Sequence, residues 1–93
     1  MDVIAPALKD GDAEVRKMAA WALGQIEDST AVRSLTPLLK DPEADVRVIA
    51  AWALGQIESD SALSALEVAR NDRSPAVRRA VQWAIRQIDD DRR

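Results

Sequence analysis

Apolar residues recur along this chain every three to four positions, and no stretch alternates as a half-buried strand would. Placing each residue about 100° after the last brings Val15, Ala19, Ala22, Leu23 and Ile26 within roughly 60° of one direction. The same pattern returns twice, which predicts amphipathic helices over 13–27, 44–58 and 75–89, termed A helices. Shorter B helices are predicted over 30–40 and 61–70, with a remnant at 2–9. The apolar face of A is expected to be the core, packed on B through Leu35, Leu38 and Leu39. Asp12 and Ser74 stand where a side-chain oxygen can cap an A helix, and Pro75 follows where its missing N–H costs nothing. Glu43 is the weaker cap at the matching place. Pro6 and Pro37 fall inside B helices, where each removes a backbone bond and should bend the helix.

These elements repeat at a fixed interval, as stacked helical units do. Trp21, Trp52 and Trp83 are the only aromatic residues and stand 31 apart, as do Val15-Arg16, Val46-Arg47 and Val77-Arg78, and Asp10, Asp41 and Asp72. Residues 10–40 and 41–71 share 15 identities. The chain thus divides into one domain over 1–93: a partial B helix at 1–9, repeat 1 at 10–40, repeat 2 at 41–71 and a capping A helix at 72–93. The fold class expected is all-α, a short α-solenoid of helix pairs.

The other faces of A carry different chemistry. Ala13, Ala20 and Gly24 form a stripe of small residues that would let a neighbouring repeat approach closely. In the last repeat Gln82 and Arg86 replace Ala51 and Gly55, which suits a polar cap at that end. The opposite end is apolar, with Val3, Ile4 and Leu8 expected to lack a preceding A helix, as in a piece cut from a longer array or an edge covered by another molecule. The remaining face bears Lys17, Met18, Trp21 and Gln25, then Val48, Ile49, Trp52 and Gln56, then Arg79, Ala80, Trp83 and Gln87. Six sizeable apolar residues on one face exceed what a monomer usually exposes without use, and tryptophan is enriched at binding hot spots. The alternative reading is a structural ladder in which each Trp lies along its own helix.

Composition narrows the function. The chain has no Cys and no His, which removes disulfides, thiolate or imidazole metal sites, Cys nucleophiles and His acid–base catalysis. No apolar run is long enough to span a membrane, no signal peptide is evident, and a cytoplasmic setting is the default. The net charge is −3, split into −6 over residues 1–69 and +3 over 70–93, so nucleic acid is not the expected partner. The acids at 89–91 lack the spacing of a cation loop, no Gly-rich phosphate loop exists, and Ser and Thr have no base partner. The ladder of Asp10, Asp41 and Asp72 beside Arg16, Arg47 and Arg78 reads as inter-repeat pairing that sets the register.

The strings Asp10 with Val15-Arg16, and Ala20-Trp21-Ala22-Leu23-Gly24-Gln25-Ile26, each returning 31 residues later, resemble HEAT-like repeats of the phycobilisome-lyase type. The match covers essentially the whole chain. The resemblance implies a right-handed α-solenoid, and the artificial alpha-repeat binders of the same consensus are similar. Their variable binding positions correspond to Lys17, Met18, Trp21 and Gln25 and their equivalents. Relatives that are enzymes differ: HEAT-like hydroxylases hold iron with His-Glu pairs, chromophore lyases are far longer, and HEAT-like glycosylases have a basic cleft. The function expected is therefore a non-catalytic scaffold module without cofactor or metal. It would bind a protein, a peptide or a second copy of itself through the Trp-bearing face. The alternative is a structural or regulatory appendage of a larger protein with no ligand of its own. For self-association, a twofold contact between Trp faces is the simplest closed arrangement, with head-to-tail stacking second.

Overall fold

The structure, a computed structural model, describes residues 5–91, and the expectation for Val3 and Ile4 lies outside them. Among the described residues there are helices and no strand. The long helices are α1 (Ala13–Ile26), α3 (Ala44–Ile57) and α5 (Pro75–Asp91), with short α2 (Val32–Leu35) and α4 (Leu63–Ala69) between them. The three long helices stack side by side, α1 on α3 and α3 on α5, and form one layer. The shorter segments make the second layer, in which Ala5–Lys9 packs on α1, Thr36–Lys40 on α3 and α4 on α5, each on the long helix that follows it. None of these helices is long and apolar enough to cross a membrane.

Local sequence accounts for the helix ends. Asp12 accepts the Glu14 N–H at 2.9 Å, Glu43 makes no side-chain cap, and the Ser74 hydroxyl accepts the Val77 N–H at 3.4 Å. α1 and α3 end where Glu27 and Glu58 take the left-handed conformation, at φ 60° and 59°, their N–H groups donating to Leu23 and Leu54 carbonyls. The second layer follows proline content. Where Pro37 is present, one α turn gives way to a 3-10 segment, Thr36–Lys40, and the Pro6 segment, Ala5–Lys9, is 3-10 as well. Val68 stands at the position of Pro37, and α4 there remains α-helical.

Burial sorts the long-helix positions by which neighbour covers them. Ala19, Leu23 and their equivalents Ala50, Leu54, Val81 and Ile85 are buried throughout, as are Leu35, Leu38 and Leu39. The expected core residues Val15 and Ile26 are not: they are 37% and 51% exposed. Val46, Val77 and Ile88 at the matching positions are fully buried and Ile57 is half-buried. The reason is position in the stack, because this stripe faces the preceding unit and α1 is the first long helix among the described residues. The opposite stripe shows the reverse trend. Ala20, Gly24, Ala51 and Gly55 are buried, whereas Gln82 and Arg86 are exposed. Leu8, expected on an uncovered edge, is buried against α1 at 4% exposure.

The small stripe is where the helices meet. A Cβ added at Gly24 would lie 2.7 Å from Trp52 Cζ3 and 2.9 Å from Ala53 Cα. At Gly55 the corresponding distances are 2.6 Å to Trp83 Cζ3 and 2.9 Å to Ala84 Cα. A ring can turn aside, but the backbone of the next helix cannot. Gly24→Ala is expected to destabilise by roughly 1–2 kcal/mol net, overpacking outweighing the ~1 kcal/mol gain in helix propensity. Gly11→Ala, with nothing within 4 Å, should be near neutral in the same urea unfolding series. Glu58→Gly should raise stability by about 1 kcal/mol by relieving the left-handed penalty; an unchanged or lower midpoint would contradict this.

Candidate protein-binding face

Two constellations join successive units. The first is polar. Arg16 donates from Nε to Asp41 Oδ2 at 2.7 Å and from Nη2 to Oδ1 at 3.1 Å, while its Nη1 reaches the Asp10 carbonyl at 2.7 Å. One repeat on, Arg47 donates from Nε and Nη2 to Asp72 at 2.8 and 3.2 Å and from Nη1 to the Asp41 carbonyl at 2.7 Å. Arg78 donates to the Asp72 carbonyl at 2.8 Å. Each aspartate also accepts a backbone N–H two residues on: Asp12 for Asp10, Glu43 for Asp41 and Ser74 for Asp72. These bonds fix the turn into each long helix, so one carboxylate closes a turn and docks the previous repeat. The forked geometry suits guanidinium and carboxylate.

Burial alone would push the Asp41 carboxyl up, but the Arg16 guanidinium and the Glu43 N–H outweigh it and hold it below its ordinary value of 3.8. Asp72 is held low in the same way, by the Ser74 N–H and Arg47 against burial. The Arg16 guanidinium is in turn pushed up by its bond to Asp41.

The second constellation is the Trp-bearing face, where α1 and α3 enclose a groove of about 370 Å³. That is at the low end of the roughly 300–1,000 Å³ of ligand clefts. Met18, 59% exposed, and Trp21, 46% exposed, come from α1, and half-buried Val48 and Ile49 from α3. Lys17 and Asp45 add charge at the groove. Lys17 Nζ lies 2.9 Å from Glu14 Oε1, a bond that raises the Lys17 pKa. Asp45 was not among the residues singled out from sequence, although it lies three and four residues before Val48 and Ile49 and so shares their face.

The other candidate residues are placed apart from this groove. Gln25 is exposed, Gln56 and Gln87 are half-buried, and none of them lines it. Trp52 and Trp83 are half-buried, each ring against the glycine of the preceding repeat. At the α3–α5 junction Arg79 and Ala80 stand where Val48 and Ile49 stand at the first, so its wall lacks their branched apolar side chains. A second, larger concavity of about 830 Å³ lies on the other side, near Pro37, Val68 and Arg73. Its Asp41, Arg47 and Asp72 side chains are already engaged in the ladder.

Helix pairs stacked in two layers, with a 31-residue interval and a pairing that crosses from each unit to the next, match a known family. The model of HEAT repeats covers residues 1–86. This chain belongs to the HEAT repeat family. No curated protein matches it as a relative. Among solved structures, the HEAT-repeat chain is similar to human deoxyhypusine hydroxylase in complex with glycerol, with 29% sequence identity and a TM-score of 0.87. The alignment covers 94% of this chain and 31% of that one, so the chain spans about a third of that protein's length.

Two outcomes follow from the ladder. Arg47→Ala leaves the largely covered Asp72 carboxylate without its fork and is expected to cost about 3 kcal/mol in urea unfolding. Binding by the variant that remains folded should be nearly unchanged; normal melting with abolished binding would contradict this. Because Asp41 and Asp72 are held below their ordinary 3.8, their stabilisation is present above that pH and is lost as pH falls through the depressed values. An Asp41→Asn variant should show a smaller fall in unfolding midpoint between pH 5 and pH 2.

Proposed function

We propose that this chain is a non-catalytic interaction module that binds a protein or peptide through the groove between α1 and α3. The observation that carries the reading is the juxtaposition of exposed Met18 and Trp21 with Val48 and Ile49 in one concavity. The apolar floor would take a bulky side chain of the partner, and Lys17 and Asp45 would orient it by charge. HEAT repeats suggest a protein-interaction scaffold in general. The finer resemblance, to the phycobilisome-lyase type and to artificial alpha-repeat binders, supports the same face, since Lys17, Met18 and Trp21 stand at the variable positions. The partner includes, as one case, a second copy of the chain.

Hydroxylase activity is not carried over from the structural neighbour. The chain lacks histidine altogether, and among the described residues no group of three or more acids is placed to hold a metal. Peptide-display selection against the wild-type chain, with counter-selection on Met18→Asp, tests the proposal. Selected peptides should carry a large apolar residue and bind the Met18→Asp and Val48→Asp variants at least roughly tenfold more weakly, about 1.4 kcal/mol. Both variants must melt with the wild type. Peptides that bind wild type and variants equally, or a selection that yields none, would overturn the assignment and leave a structural spacer. Sedimentation of the wild type alone distinguishes a second copy from a foreign partner.

A further inference from the structure

The charges at the mouth of the α1–α3 groove do not balance. Glu14 and Asp45 stand at equivalent positions, 31 residues apart, in the first turns of α1 and α3. On α1 the acid is answered within one turn, because Lys17, three residues on, bonds Glu14 at 2.9 Å. On α3 the residue three positions on is Val48 and the next is Ile49, both apolar. Asp45 is exposed and lines the groove with them, and among the described residues it makes no ion pair. Lys17 feels both acids: its bond to Glu14 raises its pKa, and Asp45 adds to the rise. Two carboxylates and one ammonium leave the mouth at a net charge of −1. The wider surroundings have the same sign, at −6 over residues 1–69.

An exposed carboxylate is ordinarily satisfied by water, and the start of a helix favours one on dipole grounds. What sets Asp45 apart is its place. It lies three and four residues before the apolar floor of Val48 and Ile49, roughly 4.5–6 Å along the helix at about 1.5 Å per residue. A basic side chain suits that span, because its aliphatic stem covers apolar surface while its head stays on the charge. An acidic residue would meet two carboxylates and one ammonium that Glu14 already holds. We propose that the groove takes a basic segment of another protein, one that presents a large apolar side chain with a lysine or arginine beside it. The apolar group would sit among Met18, Trp21, Val48 and Ile49, and the cation on Asp45. This assignment rests on the groove being the binding face and narrows what the face accepts. A second copy set groove to groove would oppose two mouths of like charge, which disfavours the twofold contact. On α5 the large apolar residue one turn from Arg79 is Trp83, whose ring is taken up by Gly55, so that helix does not offer the required pair.

Two peptide-display libraries of equal length, one with its charged positions restricted to Lys and Arg and the other to Asp and Glu, are selected against the wild-type chain. The tightest basic peptide is then labelled, and its affinity for each variant is read by fluorescence anisotropy, with melting curves confirming that every variant is folded. The basic library is expected to yield the tighter binders. Asp45→Asn should weaken the peptide roughly threefold and Asp45→Lys at least roughly tenfold, the scale of a charge pair at a solvated rim. Lys17→Gln, which leaves α3 untouched, should tighten it roughly twofold by removing the competing cation. Changing the peptide's own Lys or Arg to Glu should restore binding to Asp45→Lys, which a merely structural effect of residue 45 would not do. Met18→Gln, which adds no charge, should weaken the peptide at least roughly tenfold. Tighter binders from the acidic library, or peptides that need Met18 but are indifferent to Asp45 or lose affinity in Lys17→Gln, would overturn the basic partner and leave the groove standing as a binding face. Peptides indifferent to Met18, or none from either library, would overturn both. Self-association of the wild type that Asp45→Asn abolishes would overturn the foreign partner in favour of a second copy.

Discussion

The spacing between neighbouring long helices is set at Gly24 and Gly55, where the backbone of the next helix comes too near for any side chain. That approach positions everything else in the stack. It brings the Asp41 carboxylate to the Arg16 guanidinium and Asp72 to Arg47, at distances that a flexible side chain could not hold across a wider gap. It lays each tryptophan of a later repeat across the glycine of the earlier one. The constraint is steric on one stripe and polar on another, so the two together fix separation and register. Glycine within a helix lowers its intrinsic propensity, but in a stack this short the helices are held by packing on one another rather than by propensity.

A stack of this kind has its contacts only between neighbours, so a residue's surroundings depend on its place in the order as well as on its helix. The identical stripe is exposed at Val15 and buried at Val46 and Val77. On the opposite stripe Gly24 and Gly55 are buried, and the third position is polar and exposed at Arg86. The sequence changes chemistry on the downstream stripe, where the last described helix meets solvent, and keeps it apolar on the upstream one. Ion pairing has the same asymmetry: Arg78 bonds a backbone carbonyl in its own repeat, as Arg16 and Arg47 do, while the Asp10 carboxylate accepts the Asp12 N–H and, among the described residues, no arginine fork.

Much of this was legible in the chain because the same requirement is written more than once. The 31-residue interval, the ends of α1 and α3 to within one residue, the small stripe and the Asp–Arg pairing between repeats all follow from positions that recur. What was not legible depends on context that a helical projection lacks. Val15 and Ile26 project onto the apolar direction as Val46 and Ile57 do, and they are more exposed because no long helix precedes α1 among the described residues. Apolar periodicity predicts bent helices at Pro6 and Pro37, but these segments are 3-10, a local energetic choice that periodicity does not report. The left-handed Glu27 and Glu58 gave no signal, because glycine is the usual residue there. Asp45 could have been found by extending the face one turn towards the start of α3.

The face of the long helices separates two tasks that share a surface. Gly24, Leu23, Leu35 and the Asp–Arg fork specify how repeats stack, and the same residue types stand at the matching positions of repeat 2, whereas Leu38 and Leu39 give way to Ala69 and Arg70. Lys17 and Met18 become Val48 and Ile49, then Arg79 and Ala80, with no change in how the helices pack, so these positions are free to set what the face touches. The tryptophans do not respect that division. Trp52 and Trp83 contribute to the face and also occupy the seats above Gly24 and Gly55, so truncating either disturbs the stack before it disturbs a partner. Trp21 lacks such a seat among the described residues and is the most exposed of the three. In the proposed reading, recognition would fall to the pairs at 17–18 and 48–49 with Trp21 between them, because Met18 and Trp21 meet apolar Val48 and Ile49 in the α1–α3 groove, whereas Arg79 and Ala80 stand at the matching positions of α5.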